Sequence, residues 1–370
     1  MGYPLPTVVI AIIAFSFWPI LFFLMWKIDA TRLLNAEKTG DITVIIPVRN
    51  EEFRIQPLLE SLQCQARKPE RIIFVDDHST DETCRTIAQA GFEFHRLEEA
   101  GAEYSGKAMA CWYGASLAET EYLLFLDADV VLAPDGIKKI LKHAAGGNEL
   151  LSFQPFHRTS RKYESLSSFF TLVTLASLDC FTPRSGEQSA TGSFGPCIIC
   201  RRDTYQEVGG HLAVKDEIVD DMSLNRLFRS RGIPAKSYMG GGIAEYRMYP
   251  GGLVSLIEGW TKNIAPGAEF IKKSSLGLII LWITGCVNSI LLFFLPIDWM
   301  APLKVAAISG YILYSVQLFF YYRKLGKTSV WTALLYPIQM VFFLVIFFRS
   351  LISFRIKKKI VWKNRVLRVR

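Results

Sequence analysis

The sequence lacks the glycine-rich motifs by which many proteins hold nucleotide cofactors. No GxGxxG follows the first predicted strand, and no GxxxxGK[ST] occurs anywhere in the 370 residues. These loops supply the backbone contacts to a pyrophosphate or a triphosphate. Their absence therefore disfavours a dinucleotide cofactor and a P-loop nucleotidase.

Histidine and cysteine, the common ligands of zinc, are also scarce, with 5 and 7 residues. Cys197 and Cys200 form a single CxxC without a second pair, so a zinc site is disfavoured. The residues around them are typical of a buried strand, in which thiols act as small apolar groups. We expect His157 and His211 to be structural rather than catalytic.

Basic residues are missing before the first apolar segment, residues 8–26, and Lys27 and Arg32 follow it. The segment has roughly the length that crosses a bilayer. Without a basic start or a small-residue cleavage site, a cleaved signal peptide is disfavoured. The positive-inside rule predicts an N-terminus outside the cell and a cytoplasmic chain from residue 27 onward.

Apolar residues make up 51% of the chain, and the mean hydropathy of +0.24 is high for a soluble protein. Besides the N-terminus, the excess lies in the stretches 276–295, 305–322 and 330–352. The prediction is four regions along the chain: an N-terminal transmembrane helix over residues 1–27, a cytoplasmic domain over 28–270, membrane segments over 271–354, and a basic tail over 355–370.

The net charge is +8, and the tail holds much of the excess. Directly after an apolar segment, such a tail favours anionic headgroups over nucleic acid as its partner. Four full crossings from an outside N-terminus would place the tail outside, against the positive-inside rule. We therefore expect residues 330–352, which Pro337 interrupts, to be a bent or re-entrant element.

Strand-like and helix-like segments alternate in the middle of the chain. Predicted strands at 41–48 and 71–75 are separated by a helical pattern over 53–65, and the alternation continues to residue 130. This spacing is that of βαβ units. It predicts an α/β domain with a mostly parallel, doubly wound sheet.

Two carboxylates, Asp127 and Asp129, directly follow the apolar run 123–126, which is typical of a strand buried on both faces. Carboxylates at i and i+2 can converge on one hard cation, such as Mg²⁺ or Mn²⁺. A solvated turn at the strand end is the alternative for an isolated pair of this kind.

Two other predicted strands end in polar residues, at 47–51 and at 76–77. The carboxyl ends of parallel strands meet at one edge of a sheet, where ligands bind. Gly106 and Lys107 open a predicted helix, whose N-terminus favours phosphate. A divalent cation, a lysine and an acid at a separate strand end together predict a nucleoside diphosphate site.

In this order, the motifs at 46–52, 75–83, 106–107 and 127–129 resemble the signature of family 2 inverting glycosyltransferases with the GT-A fold (Rossmann-like). Further segments, among them 194–196, 209–211 and 258–262, resemble the membrane-bound 4,4'-diaponeurosporenoate glycosyltransferase-like enzymes of carotenoid biosynthesis. The resemblance implies a GT-A catalytic domain with one N-terminal and about three C-terminal transmembrane or membrane-embedded helices.

The resemblance also implies residue roles. Pro47, Arg49 and Glu51 would line the nucleotide, and Asp76 would face the uracil. The remaining roles follow the same resemblance: Lys107 near the diphosphate, Asp127 at the ribose or metal, Asp129 at the metal, Asp221 as general base, Asp220 beside it where the family more often has glutamate, and Gln154, Trp260 and Lys262 on the acceptor side. The Gln-x-x-Arg-Trp motif of processive synthases is absent.

The resemblance thus implies a membrane-bound, multi-pass enzyme of the cell membrane with a cytoplasmic catalytic domain. It would move a sugar, with glucose as the first candidate, from a UDP-sugar to a lipid acceptor such as a carotenoid carboxylic acid. Its cofactor would be Mg²⁺ or Mn²⁺. The alternatives are a polyprenyl phosphate, glycerolipid or sphingoid acceptor, or a non-catalytic membrane scaffold with a degenerate transferase domain.

Overall fold

The structure is a computed structural model that describes residues 5–28, 40–101, 105–145, 147–183, 191–292, 294, 301–356, 359–362 and 365–368. The chain forms two compact units. The sheet unit comprises Asp29–Arg158 and Gly186–Met248. The helical unit comprises Met1–Ile28, Thr159–Ser185 and Tyr249–Arg370. The predicted domain of residues 28–270 stays a prediction, and its residues are divided between these units.

The strands in chain order are β1 (Ile42–Val48), β2 (Arg71–Asp76), β3 (Phe94–Arg96), β4 (Tyr122–Leu126), β5 (Val130–Leu132), β6 (Leu150–Gln154), β7 (Phe156–His157), β8 (Cys197–Arg201), β9 (Ala235–Met239), β10 (Ala244–Tyr246), β11 (Lys359–Trp362) and β12 (Arg365–Arg368). One sheet has the order β3-β2-β1-β4-β8-β6-β9, and a smaller one has the order β5-β10-β7. β11 and β12 form an antiparallel hairpin.

The α-helices in chain order are α1 (Leu5–Phe17), α2 (Ile20–Leu24), α3 (Gln56–Gln63), α4 (Thr83–Gln89), α5 (Lys107–Ser116), α6 (Gly136–Ala144), α7 (Ser167–Ser177), α8 (Arg202–Val208), α9 (Asp220–Ser230), α10 (Leu253–Ala268), α11 (Lys273–Leu291), α12 (Ala301–Leu325), α13 (Val330–Leu334) and α14 (Tyr336–Leu351). Short 3₁₀ turns lie at Leu97–Ala100, Lys162–Leu166 and Gly210–Val214, and α14 continues as a π-helical turn over Ile352–Ile356.

The predicted α/β fold with a mostly parallel sheet is confirmed. Every residue of β4 is buried, as its uninterrupted apolar sequence predicts. The exception to parallel order is β8, which is antiparallel to both β4 and β6. It contains Cys197 and Cys200, both buried, as the strand prediction for this segment requires. Helices cover both faces: Leu59 and Ile140 pack with Ile46 on one, and Leu224 packs with Ile45 on the other.

The N-terminal apolar segment is not one continuous helix over residues 8–26. α1 ends at Phe17 and α2 begins at Ile20, with Pro19 at the N-cap of α2. Proline has no N–H to donate to the preceding turn, and its ring crowds that turn. The predicted N-terminal transmembrane helix is therefore two shorter helices.

Three helices among the described residues are long and apolar enough to cross a membrane, at Lys273–Leu291, Lys304–Leu325 and Tyr336–Ile356. The last overlaps the predicted stretch 330–352, which the structure divides at Leu335 into α13 and α14. Pro337 lies in the first turn of α14, where its missing N–H would have no partner in any case.

A hydroxyl group from α14 is inserted into α10. Ser350 Oγ donates to the carbonyl of Thr261 at 2.6 Å and accepts from the N–H of Ala265 at 3.1 Å. These two backbone groups would otherwise bond to each other within the helix. The insertion lies one residue before Pro266, which is inside α10. The break in the helical ladder is therefore filled by a side chain from α14.

Candidate active site

Three neighbouring strands, β2, β1 and β4, run parallel and end at the same edge of the large sheet. The β1–β2 register pairs Val48 with Asp76. The β1–β4 register pairs Ile45 with Phe125, two residues before Asp127. The polar residues that follow these strands therefore share one edge, where ligands bind in open α/β sheets.

Hydrogen bonds fasten the loop after β1 to the loop after β2. The N–H of Asn50 donates to Ser79 Oγ at 3.0 Å, and the N–H of Thr80 donates to Asn50 Oδ1 at 2.8 Å. The N–H of Glu51 donates to Thr83 Oγ1 at 2.7 Å. The segment predicted to line the nucleotide is thus held in one conformation.

Asp77 joins the loop after β1 to the start of α5, although the nucleotide role was predicted for its neighbour Asp76. Asp77 is buried, and its carboxylate lies 3.4 Å from Arg49 Nη1 and accepts from the N–H of Gly106 at 3.0 Å. Asp76 is also buried and accepts from the N–H of Ser79 at 3.1 Å. The contact of Asp76 with uracil stays a prediction.

Lys107 lies at the start of α5, directly after Gly106, whose φ of 97° suits glycine. Its Nζ is 2.6 Å from Asp127 Oδ1, and its side chain is 40% exposed and so open to a ligand. Burial would lower the pKa of the ammonium group, but the charges of Asp127 and Asp220 raise it well above its usual value. The lysine therefore carries a full positive charge at the predicted diphosphate position.

Asp129 lies on the same edge, with Ala128 between it and Asp127. Burial and the nearby charge of Asp127 raise its pKa to about 7, while the charge of Arg54 opposes them. Arg54 itself lies 2.6 Å from Glu51 Oε2. A cation between Asp127 and Asp129 would offset the repulsion between their two carboxylates.

The two aspartates fit a divalent cation that takes part of its coordination from a ligand. The described part of the chain contains no group of three or more His, Cys, Asp or Glu side chains that could form a complete metal site. Two carboxylates leave positions for diphosphate oxygens and water, which is the coordination that Mg²⁺ commonly keeps.

Asp220 and Asp221 form the first turn of α9. Burial, followed by the charge of Asp220, raises the pKa of Asp221 to about 6. A carboxylate with a raised pKa at this position is suited to accept a proton near neutral pH.

A strap of four residues, Ser193–Pro196, connects Asp221 with Asp127. The carbonyl of Pro196 accepts from the N–H of Asp127 at 3.0 Å, and Asn225 Nδ2 donates to Ser193 Oγ at 2.9 Å. Between these anchors, Gly195 packs against the Asp221 side chain so closely that a Cβ would lie 2.7 Å from Asp221 Oδ2. Asp221 is therefore held in place by a residue without a side chain.

Replacing Gly195 with alanine is expected to lower kcat by about 10–100-fold, because displacing a catalytic group by an ångström has effects of this size. The new methyl group would collide with the Cγ and Oδ2 atoms of Asp221. The donor KM should stay within about twofold of its original value, since Lys107, at the predicted diphosphate position, is not part of the strap. Gly241→Ala is the matched control, because a Cβ there meets nothing within 4 Å. Equal kinetics for the two variants would contradict the positioning role of Gly195.

The predicted acceptor-side residues are fixed by other interactions. Gln154, at the end of β6, is buried and donates to the hydroxyl of Tyr246 at 2.7 Å. Trp260 lies in the helical unit, stacks on Phe170 and donates to Ser167 Oγ at 3.0 Å. Lys262 is half-buried two residues further along α10. Their acceptor role stays a prediction.

The two histidines lie in the core of the sheet unit. His211 Nδ1 is 2.8 Å from the hydroxyl of Tyr205, and burial lowers its pKa to about 4. His157 is buried beside Tyr246.

Asp77 was predicted only as a polar residue at a strand end, and Arg54 and Gly195 were not predicted as parts of the site. The adjacent acids at 76 and 77 gave a signal without showing which one faces the neighbouring loops. Arg54 stands three residues after Glu51, a helical spacing at which an ion pair can form. Gly195 lies in the segment 194–196 that carries the resemblance, but its contact with Asp221 depends on the antiparallel placement of β8.

Comparison with known proteins agrees with this geometry. The model of the family "Glycosyl transferase family 2" matches residues 43–209. A 4,4'-diaponeurosporenoate glycosyltransferase of Staphylococcus aureus (strain N315) is 32% identical over 341 residues, which cover 90% of each chain. A mannosyltransferase of Pyrobaculum calidifontis, solved with GDP-Man and Mn²⁺, has a similar fold, with a TM-score of 0.56. It is 16% identical, and the match covers 94% of this chain and 99% of that one.

Three findings agree. The strand-end motifs occur in the expected order, the parallel sheet brings them together, and the chain is similar to a glycosyltransferase over 90% of its length. A non-catalytic scaffold is not what these findings support. The chain belongs to glycosyl transferase family 2, and it is a glycosyltransferase with a GT-A fold.

Proposed function

We propose that the protein transfers a sugar, with glucose as the first candidate, from a UDP-sugar to a membrane lipid. The single observation that carries the proposal is the sheet edge where Lys107, Asp127 and Asp129 lie together, in a chain that also has three helices apolar enough for a membrane. Lys107, together with a divalent cation held by the two aspartates, would suit the diphosphate of the donor, and a bilayer would supply the acceptor.

In the proposed reaction, an acceptor oxygen forms a bond to the anomeric carbon while the bond from that carbon to the diphosphate breaks. Lys107 stabilises the negative charge that develops on the leaving nucleoside diphosphate. Asp221 accepts the proton of a hydroxyl acceptor, or orients an acceptor that is already ionised. A single in-line displacement of this kind inverts the anomeric centre.

A divalent cation belongs to this proposal. Bound by Asp127 and Asp129, Mg²⁺ or Mn²⁺ would neutralise part of the diphosphate charge. We propose that Pro47, Arg49, Glu51 and Asp76 hold the nucleoside, at the part of the sheet edge where the loops after β1 and β2 are hydrogen-bonded to each other.

We propose a carotenoid-type carboxylic acid as the first candidate for the acceptor. The support is the 32% identity to an enzyme whose name specifies diaponeurosporenoate. Polyprenyl phosphates, glycerolipids and sphingoid lipids are the competing acceptors. The proposed location is the cell membrane, with the sheet unit in the cytoplasm and anionic headgroups near the basic tail.

Incubation of membranes with labelled UDP-glucose, UDP-galactose or GDP-mannose and a lipid extract tests the proposal. We expect a labelled lipid from UDP-glucose, formed with Mg²⁺ or Mn²⁺ and lost with EDTA. A sugar ester of a carboxylic acid is cleaved by mild alkali, a glycoside survives it, and a glycosyl phosphate is cleaved by mild acid. Label transferred only from GDP-mannose would overturn the donor, and an alkali-stable product would overturn the carboxylic acid.

A further inference from the structure

α11 and α12 lie side by side in a constant antiparallel register. Trp282 Nε1 donates to Gln317 Oε1 at 3.0 Å. A Cβ at Gly285 would collide with the hydroxyl of Tyr314. One more pair continues the pattern: Ser289 with Gly310. Each step forward along α11 is a step backward along α12, so α12 ends where α11 begins. We call this end of the helices the Lys273 end and the other the Ser289 end.

α14 is also antiparallel to α11. Its first residue, Tyr336, has its hydroxyl 2.7 Å from Ser289 Oγ, close to the last turn of α11. Near its other end, Ser350 is bonded to α10, and Arg355 is 2.8 Å from Glu269, four residues before α11 begins. Since α11 is antiparallel to both, α12 and α14 run in the same direction.

Two consecutive helices that run in the same direction need a connection that travels back along them. The distance from Lys273 to Ser289 is about 24 Å at the rise of an α-helix. Five of residues 326–335 form α13, so this connection reaches about 24 Å, of which about 16 Å is extended chain and about 8 Å is helix. The connection therefore has the length to enter at the Lys273 end and turn at Leu335 beside Ser289.

Two carbonyl groups of the connection accept hydrogen bonds from side chains. The hydroxyl of Tyr311 donates to the carbonyl of Leu334, and Gln339 Nε2 donates to the carbonyl of Thr332. Gln339 Oε1 in turn accepts from the hydroxyl of Tyr322 at 2.8 Å. Non-helical backbone lies within a bilayer only where protein groups satisfy it in this way.

We propose that residues 326–356 form a re-entrant hairpin rather than a third C-terminal crossing. The tail then leaves the membrane at the Lys273 end. α14 has the length and hydropathy of a crossing helix, but its direction shows that the chain has already turned back before α14 begins.

The N-terminal segment ends at the same end of the helices as the tail. Trp18 Nε1 donates to the carbonyl of Leu313, and the ring of Phe22 lies 5.9 Å from that of Tyr321, so this segment runs parallel to α12. It therefore reaches the Lys273 end at Ile28, directly before the sheet unit begins. Basic residues collect at this end, as the positive-inside rule requires of a cytoplasmic face: Lys27, Lys272, Lys273, Arg323, Lys324, Lys327 and Arg355.

Cysteine labelling of the full-length protein in spheroplasts tests the proposal. The exposed Cys64 and the partly exposed Cys84 and Cys180 are first replaced by serine, which leaves only buried native cysteines. Single cysteines are then introduced as Phe53→Cys to mark the sheet unit, Phe294→Cys to mark the Ser289 end, and Ile356→Cys to report on the tail. All three native side chains are at least 75% exposed. A membrane-impermeant maleimide is applied before or after permeabilisation, and labelling is normalised to the denatured protein.

We expect Ile356→Cys to behave like Phe53→Cys, with at least tenfold more labelling after permeabilisation, and Phe294→Cys to be labelled without it. Labelling of Ile356→Cys together with Phe294→Cys, and apart from Phe53→Cys, would show that α14 crosses and would overturn the proposal. If Ile356→Cys reacts poorly with the maleimide, Arg370→Cys reports on which side of the membrane the tail lies. The result does not depend on sugar transfer, so it stands apart from the proposed reaction.

Discussion

Replacing Asp129 with asparagine is expected to lower kcat/KM for sugar transfer by about 10²–10³-fold, the usual effect of removing one group that stabilises charge in a transition state. Asparagine keeps the shape of the side chain but supplies no negative charge to a divalent cation. The cation concentration that gives half-maximal activity should rise at least tenfold. Initial rates measured against both donor and metal concentration check both effects.

The same substitution should leave the thermal unfolding temperature unchanged or raise it. Burial and Asp127 raise the pKa of Asp129 to about 7. A carboxyl group whose pKa is raised by folding destabilises the folded state above its unfolded pKa, and asparagine removes that effect. Asp135→Asn is the control, because Asp135 is an exposed residue whose ion pair with Lys139 lies outside the site. Full activity of Asp129→Asn would remove this residue from the proposed metal site.

Replacing Asp221 with asparagine is expected to lower kcat by about 10²–10⁴-fold when the acceptor presents a hydroxyl group, because the proton then has no base to accept it. The loss should be smaller when the acceptor is a carboxylic acid, which is already ionised at neutral pH. Rates for this variant with one acceptor of each type, at saturating donor, therefore report on the chemistry of the natural acceptor. Glu217→Gln, at an exposed residue just before α9, is the control.

The pH profile gives a second check on Asp221. Its pKa is raised to about 6, so below pH 6 the carboxyl group is protonated and cannot accept a proton. With a hydroxyl acceptor, kcat/KM should fall about tenfold for each pH unit below 6, and Asp221→Asn should lack this limb. An unchanged limb in the variant would assign the titration to another group.

The position of the site could be predicted from the sequence because parallel strands end at one edge. Asp127, Lys107 and the loop after β1 follow predicted strands or open a predicted helix, and the ion pair between Lys107 and Asp127 follows from that placement. Local patterns were sufficient here. Asp127 and the loop after β1 directly follow their strands, and Lys107 opens its helix. Their positions could therefore be predicted without knowledge of long-range packing.

The rest depended on arrangements that hydropathy does not encode. β8 is inserted antiparallel between β4 and β6, and only that placement brings Gly195 to Asp221. Hydropathy also identifies apolar segments without giving their direction. The basic tail and Pro337 predicted a bent or re-entrant element in residues 330–352, but they could not show that α12 and α14 run the same way. Pro19 divides the N-terminal apolar segment, because proline disrupts the helical turn before it.

The hydroxyl of Ser350 restricts the sliding of α14 along α10. It acts at once as donor to Thr261 and acceptor from Ala265, so a small slide of α14 along α10 would break two hydrogen bonds together. The next position with an equivalent geometry is a full turn away, about 5.4 Å along the axis. Sliding of α14 along α10, the helix that contains Trp260 and Lys262, is therefore resisted by two hydrogen bonds at once.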